Sequence, residues 1–202
     1  EQSFPNLKNL KNITEGQIAE HLKLYAGYVK NTNLLNEQLA EIIQKVQTGT
    51  PVYAELTRRL GFEYNGMRLH EYYFRNLSGQ GGGDPKPSTL TQKINESFGS
   101  FANWKQDFLK IGAMRGVGWG ILYLDACVGR LSNHWITLHE EGHVAGFRPI
   151  LVMDLWEHAW SVYLKPTERA RYLEDFFANI DWAKANERLE RALTSEKANV
   201  RA

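Results

Sequence analysis

Residues 154–160 read Asp-Leu-Trp-Glu-His-Ala-Trp and hold the densest chemistry in the chain. Asp154 and His158 are four apart, so both reach one point if the chain turns just after Asp154. The preceding run, Pro149-Ile150-Leu151-Val152-Met153, is apolar and partly β-branched, the pattern of a buried strand. A carboxylate ending such a strand is costly to bury unless it is paired or bound to a metal. A carboxylate and an imidazole at one strand end are half of a site for a first-row transition ion. Taken alone, an ion-paired aspartate beside a core histidine explains the pair equally well.

The chain has six histidines, at 21, 70, 134, 139, 143 and 158, and the elements carrying them decide which can meet. Thr14 with Gln17 three residues on predicts a capping box, then a helix from about 15 to past 31. His21, Tyr25 and Tyr28 share one face of it. A second helix is predicted over about 36–47, stopped by Thr48-Gly49-Thr50-Pro51. A third runs from about 51 to 76, with a break expected at Gly61 and His70 near its end. Residues 78–88, SGQGGGDPKPS, exclude a helix or central strand, and no Gly-Lys-Ser/Thr makes them a phosphate loop. We place the domain boundary there, giving 1–83 and 84–202. Helices are then predicted over 89–98 and 101–114, strands near 119–128, 134–139 and 149–155, and helices over 167–178 and 181–197. Helices first and clustered strands later predict an α+β fold: an N-terminal helical hairpin domain, then a C-terminal α/β domain with a small three-stranded antiparallel sheet. If the two pack together, His21, His70, Asp154 and His158 converge between them. Oxygen and nitrogen donors without thiolate suit iron, manganese or zinc.

Composition narrows the function classes. The chain has 202 residues, 43% hydrophobic and 12% aromatic, which is ample for a dense core. Its formal net charge of +1 argues against a nucleic-acid partner, and no apolar run reaches the roughly 20 residues of a membrane span. The single cysteine, Cys127, excludes an intrachain disulfide and is expected in an apolar strand as an inert small hydrophobe. A soluble protein is expected, cytoplasmic rather than exported, although the first residue is Glu1 rather than Met and leaves the compartment open.

At these residues the chain resembles the iron/manganese superoxide dismutases over nearly its whole length. Asp154-Leu155-Trp156-Glu157-His158-Ala159 is similar to that family's most specific motif, and 65–74, containing His70, to the segment carrying another ligand. Phe98-Gly99-Ser100-Phe101, Gly116-Val117-Gly118-Trp119-Gly120 and Asn179-Ile180-Asp181-Trp182 resemble further family segments. The resemblance implies one iron or manganese ion per chain, held by His21, His70, Asp154 and His158 with one solvent. It implies one-electron cycling that converts superoxide to oxygen and hydrogen peroxide, the solvent taking up a proton on reduction. It further implies a narrow, positive opening for the anion. Tyr28 would act as a gate, His139 would hydrogen-bond the metal-bound solvent, and Trp119 and Trp156 would form a dry wall. Glu157 would bond His158 across a two-fold, in a homodimer or tetramer. A single hydrogen bond to that solvent matters, because about 1.4 kcal/mol moves a one-electron potential by about 59 mV.

The chain departs from the family pattern in places. Tyr28 follows His21 by seven residues where the family has eight, so Glu20 competes for the ligand position. A regular helix puts i and i+7 on one face and favours His21. Gly66 stands where iron types carry Gln, as in manganese types, and His139 stands near where manganese types carry Gln. Leu24 or Tyr25, and Ser161, replace a family His–Tyr pair at the interface. Arg115 stands where the family usually has Phe, either adding charge to the pocket or facing solvent. Two rivals remain. His139-Glu140-Glu141-Gly142-His143 is a literal HExxH, which as a helix would make a zinc hydrolase, although Gly142 opposes that helix. A dismutase-like fold without metal would serve as a binding module.

Overall fold

The computed structural model describes the backbone of residues 1–199 and side chains through residue 195. Residues 200–202, the end of the expected second domain range, lie outside the described residues. Two long helices open the chain, α1 over Glu15–Gln44 and α2 over Pro51–Arg75. Then come α3 (Thr89–Phe98), α4 (Phe101–Gly112), β1 (Gly118–Asp125), β2 (Arg130–Thr137), β3 (Arg148–Asp154), α5 (Arg169–Ala178) and α6 (Trp182–Asn199). The strands form one antiparallel sheet in the order β2-β1-β3. This is the α+β architecture predicted, an α1–α2 hairpin against a helix-covered sheet.

Several local expectations need correction. The helices expected over 15–31 and 36–47 are one helix, because Val29, Thr32, Leu35 and Leu39 continue its buried stripe through the polar stretch. No break occurs at Gly61: a helical glycine costs about 1 kcal/mol, which packing along the hairpin outweighs. Thr14 does cap α1, accepting from Gln17 N at 3.1 Å, but no reciprocal box forms because the Gln17 side chain is used elsewhere. β1 ends at Asp125, whose Oδ1 accepts from Cys127 N at 3.0 Å in a tight turn closed by Gly129. Cys127 is therefore an exposed turn residue rather than part of a strand. β2 spans Arg130–Thr137, earlier than expected, and leaves His139 in the turn beyond it.

The fold positions the site through the middle strand. β1 is buried from Gly118 to Leu124, and its register pairs Trp119 with Asp154 of β3 and with Ile136 of β2. α2 packs on α1 and on β3, so the hairpin closes over the strand end that carries Asp154. The glycine-rich stretch is pinned rather than loose. Gly82 takes φ 79°, and a Cβ there would lie 2.1 Å from Ala178 O, so only glycine lets it pass against the α5–α6 turn.

Candidate metal centre

Four side chains from four separate places meet. His21 comes from the second turn of α1, His70 from the last two turns of α2, Asp154 from the end of β3, and His158 from a short 3-10 turn, Glu157–Ala159. His21 Nε2 lies 3.0 Å from Asp154 Oδ2, His158 Nε2 3.2 Å and His70 Nε2 3.6 Å from the same oxygen. His70 Nε2 and His158 Nε2 are 3.4 Å apart, and all four donor atoms lie within 4.8 Å of one another. The first three residues are fully buried, while His158 keeps 19% of its side chain exposed.

α1 is a regular α-helix from end to end, so His21 and Tyr28 sit two turns apart on one face. Glu20 points outward to Lys23 at 2.6 Å and does not join the cluster. Gln17, four residues before His21 and fully buried, reaches the same region. Its Nε2 donates to His158 O at 2.6 Å and its Oε1 accepts from Val162 N at 3.0 Å, fastening α1 to the turn that bears His158. The sequence carries a signal for this residue, a polar side chain at i−4 from a histidine on one helix face, beside its place in the predicted capping box.

The protonation states follow from the partners. His70 Nδ1 donates to Gly66 O at 2.6 Å, so its Nε2 turns a bare lone pair toward the cluster. Burial lowers the pKa of His21 and, well below the ordinary value, that of His70, and both stay neutral. Burial alone would push the Asp154 carboxyl up, but His158 and His21 outweigh it and hold the pKa well down. Asp154 is thus an anion facing three imidazoles, of which burial keeps His21 and His70 from charging. Donors bound at about 2.1 Å to one ion and at right angles would sit about 3.0 Å apart, close to the separations found. The donor set fits a first-row cation, and the carboxylate with imidazoles selects iron, manganese or zinc over a soft ion.

Around the cluster runs an aromatic wall. Trp119 stands edge-on to the His70 ring with centroids 5.0 Å apart, and Trp156 stacks on His158 at 5.6 Å and on His139 at 4.7 Å. Trp119 Nε1, which can only donate, gives its proton to His139 Nδ1 at 3.0 Å. A neutral His139 then carries its proton on Nε2 and donates it to the Tyr28 hydroxyl at 2.8 Å. Burial lowers His139 to about 4, so it is neutral near pH 7, and burial raises Tyr28 to about 12, so it keeps its proton. Both ring nitrogens of His139 are thus engaged, and the proton left to offer belongs to Tyr28. The Tyr28 ring stacks on His70 at 5.2 Å and fills the space beside Gly66, where an added Cβ would meet it at 2.6 Å.

The remaining candidates do not join. Residues 139–143 form a turn, with His143 Nε2 donating to His139 O at 2.9 Å and Nδ1 accepting from Tyr123 at 2.7 Å, so the HExxH pair does not converge on an ion. His134 pairs with Ser132. Glu157 is exposed beside His158, and Arg115 is exposed in a surface cavity that also holds Glu157 and Arg169.

A helical hairpin closed over a three-stranded sheet, with three imidazoles and one carboxylate between them, forms a candidate mononuclear centre for a first-row metal ion. Residues 86–188 match the family of iron/manganese superoxide dismutases, C-terminal domain. The chain is 36% identical over 196 residues to an iron superoxide dismutase of Aquifex pyrophilus, covering 95% of this chain and 91% of the relative. It is 34% identical to the iron enzyme of Saccharolobus solfataricus, covering 84% of this chain and 82% of the relative. A manganese superoxide dismutase of Haloferax volcanii is 32% identical, with the same shares covered. The chain belongs to the iron/manganese superoxide dismutase family. Among the described residues no helix is long and apolar enough to cross a membrane.

Proposed function

We propose that this chain disproportionates superoxide to oxygen and hydrogen peroxide with one iron or manganese ion held by His21, His70, Asp154 and His158. The observation that carries this reading is the meeting of four donors from distant segments, one of them an anion, within 4.8 Å of one another. Bound by these four residues, iron or manganese would supply the one-electron couple that disproportionation of superoxide needs. The protein's residues do the rest. Asp154 offsets part of the ion's charge, and the Gly66 carbonyl fixes the tautomer of His70. Trp119 and Trp156 keep bulk water from the donors. Tyr28, held by His139, offers a hydroxyl proton at the mouth of the site, where a peroxide product needs one.

The regular α1 supports His21 over Glu20 and removes the main reason for a metal-free binding module. We place the two domains at 1–83 and 84–202, with the site between them, and expect a homodimer or larger assembly in which the exposed Glu157 meets His158 of a second copy. The single, unpaired cysteine accords with a cytoplasmic setting. Metal analysis and activity after separate reconstitution with iron and with manganese test the function. About one ion per chain with activity from at least one metal is expected. Full metal loading without activity from either would overturn it.

A further inference from the structure

On the side of α2 away from His70 lies a second concavity of about 410 Å³, between the N-terminal segment, α2 and α6. Arg68, Arg75, Lys184, Arg188 and Arg191 line it, together with Tyr72. Their acidic neighbours are few. Arg68 bonds Glu71, while Lys184 and Arg191 share Glu187. Arg75 bonds only the neutral Gln2 amide, and Arg188 Nη1 donates to Asn76 Oδ1 and Ile150 O, each at 2.7 Å. Neither has a carboxylate partner among the described residues. Five cations against two carboxylates leave three positive charges unmatched in one hollow. Burial, then Arg75 and Arg68, pull Arg188 down to about 10 against Tyr72 and Glu187. Its guanidinium lies over the Tyr72 ring at 4.8 Å, and that of Arg68 lies at 5.5 Å.

A concentration of cations short of counter-charge raises a local positive potential that attracts anions. The net charge of the chain is only +1, so this excess is local. Two guanidinium forks without carboxylates suit phosphate oxygens, which they bind bidentately. The concave outline and volume of about 410 Å³ suit a small ligand rather than a long polymer, which would need an extended stripe. We propose that this pocket binds a small oligophosphate, a pyrophosphate- or triphosphate-bearing molecule, at one site per chain. Arg75 and Arg188 are the phosphate-gripping residues, with Lys184 and Arg68 adding charge at the rim.

The test is titration calorimetry of the metal-loaded chain with inorganic tripolyphosphate at about 150 mM salt, where loose surface attraction is screened. Saturable binding of one tripolyphosphate per chain is expected, about tenfold or more tighter than orthophosphate. Arg75→Ala, at an exposed position, and Lys184→Ala should each weaken it about tenfold and together abolish it, leaving dismutase activity unchanged. Arg188→Lys, which keeps the charge but loses the fork, should weaken it less. The proposal fails if no saturable heat appears, or if Arg75→Ala binds as well as the parent chain. It fails equally if Lys105→Ala on the distant α4 weakens binding as much, or if duplex DNA binds more tightly than tripolyphosphate. None of these failures would touch the dismutase reading.

Discussion

The two faces of α2 present opposite chemistry. Toward β3, His70 turns a lone pair to a carboxylate and two further imidazoles, in an aromatic box. Toward α6, Arg68, Tyr72 and Arg75 belong to a hollow crowded with protons and short of acceptors. His70 and its neighbours two residues away are on opposite sides because a helix turns about 200° over two residues. The first face is incomplete without a cation, and the second has an excess of cations. One helix thus keeps two charge imbalances apart by its own thickness, and the difference shows that residue type alone does not name a site. Burial and the charge of the neighbours decide what is missing.

The largest effect should come from removing the one anion of the inner face. Asp154→Asn keeps the shape but takes away the carboxylate that faces three imidazoles, so metal content should fall from about one per chain to near zero, with activity lost. Retained metal would mean that the imidazoles suffice. Chelation of the parent chain should also lower the melting temperature, because bound metal stabilises the folded state by mass action; an unchanged melting temperature would argue against a filled site.

The next largest effect is expected at Gln17, which fastens α1 to the His158 turn. Gln17→Ala removes two part-buried hydrogen bonds to the backbone of the turn carrying His158. The expected cost is about 1–3 kcal/mol of stability. A drop in metal affinity of about tenfold to a hundredfold should accompany it, read by competition with a chelator. Unchanged affinity would make Gln17 a packing residue only.

Gly66→Ala sharpens the contrast from the backbone side. Its Cβ would meet the Tyr28 ring at 2.6 Å, so the ring must shift away from His70. Overpacking of this kind costs about 1–3 kcal/mol. Activity should fall with metal content unchanged. If activity and melting temperature both stay at the parent level, the tight fit is relieved elsewhere.

The smallest expected effect concerns pH. Burial lowers His134 from its ordinary 6.5. The folded chain favours its neutral form, so the full stability is present above about pH 6.5. As pH falls below that, the unfolded chain binds the proton first and stability declines. His134→Gln should flatten this slope below about pH 6.5 in a melting-temperature series. An identical slope in the variant would assign it to other groups.

How much was legible follows from particular residues. Asp154 and His158 are four apart at the end of an apolar run, so local spacing revealed them. Thr14 and Pro51 marked element ends for the same reason, since caps and stops act over a few residues. The polar stretch between α1's two apolar segments suggested an interruption, because Thr32 looks like surface until α2 covers it. Cys127 looked like strand because its neighbours are apolar, and only the Asp125–Gly129 turn placed it outside.

The sequence by itself determined the donor types, their helical or strand settings and the likeness of the chain to a redox-metal family, because these depend on neighbours within a turn or two. The tertiary structure alone decided that His21 rather than Glu20 faces inward, that Gln17 holds the His158 turn, and that His139 donates a hydrogen bond to the Tyr28 hydroxyl. It alone gathered five cations from α2 and α6 into one hollow. Contacts between residues tens of positions apart are set by how α1 and α2 close over the sheet, and no local pattern encodes that closure.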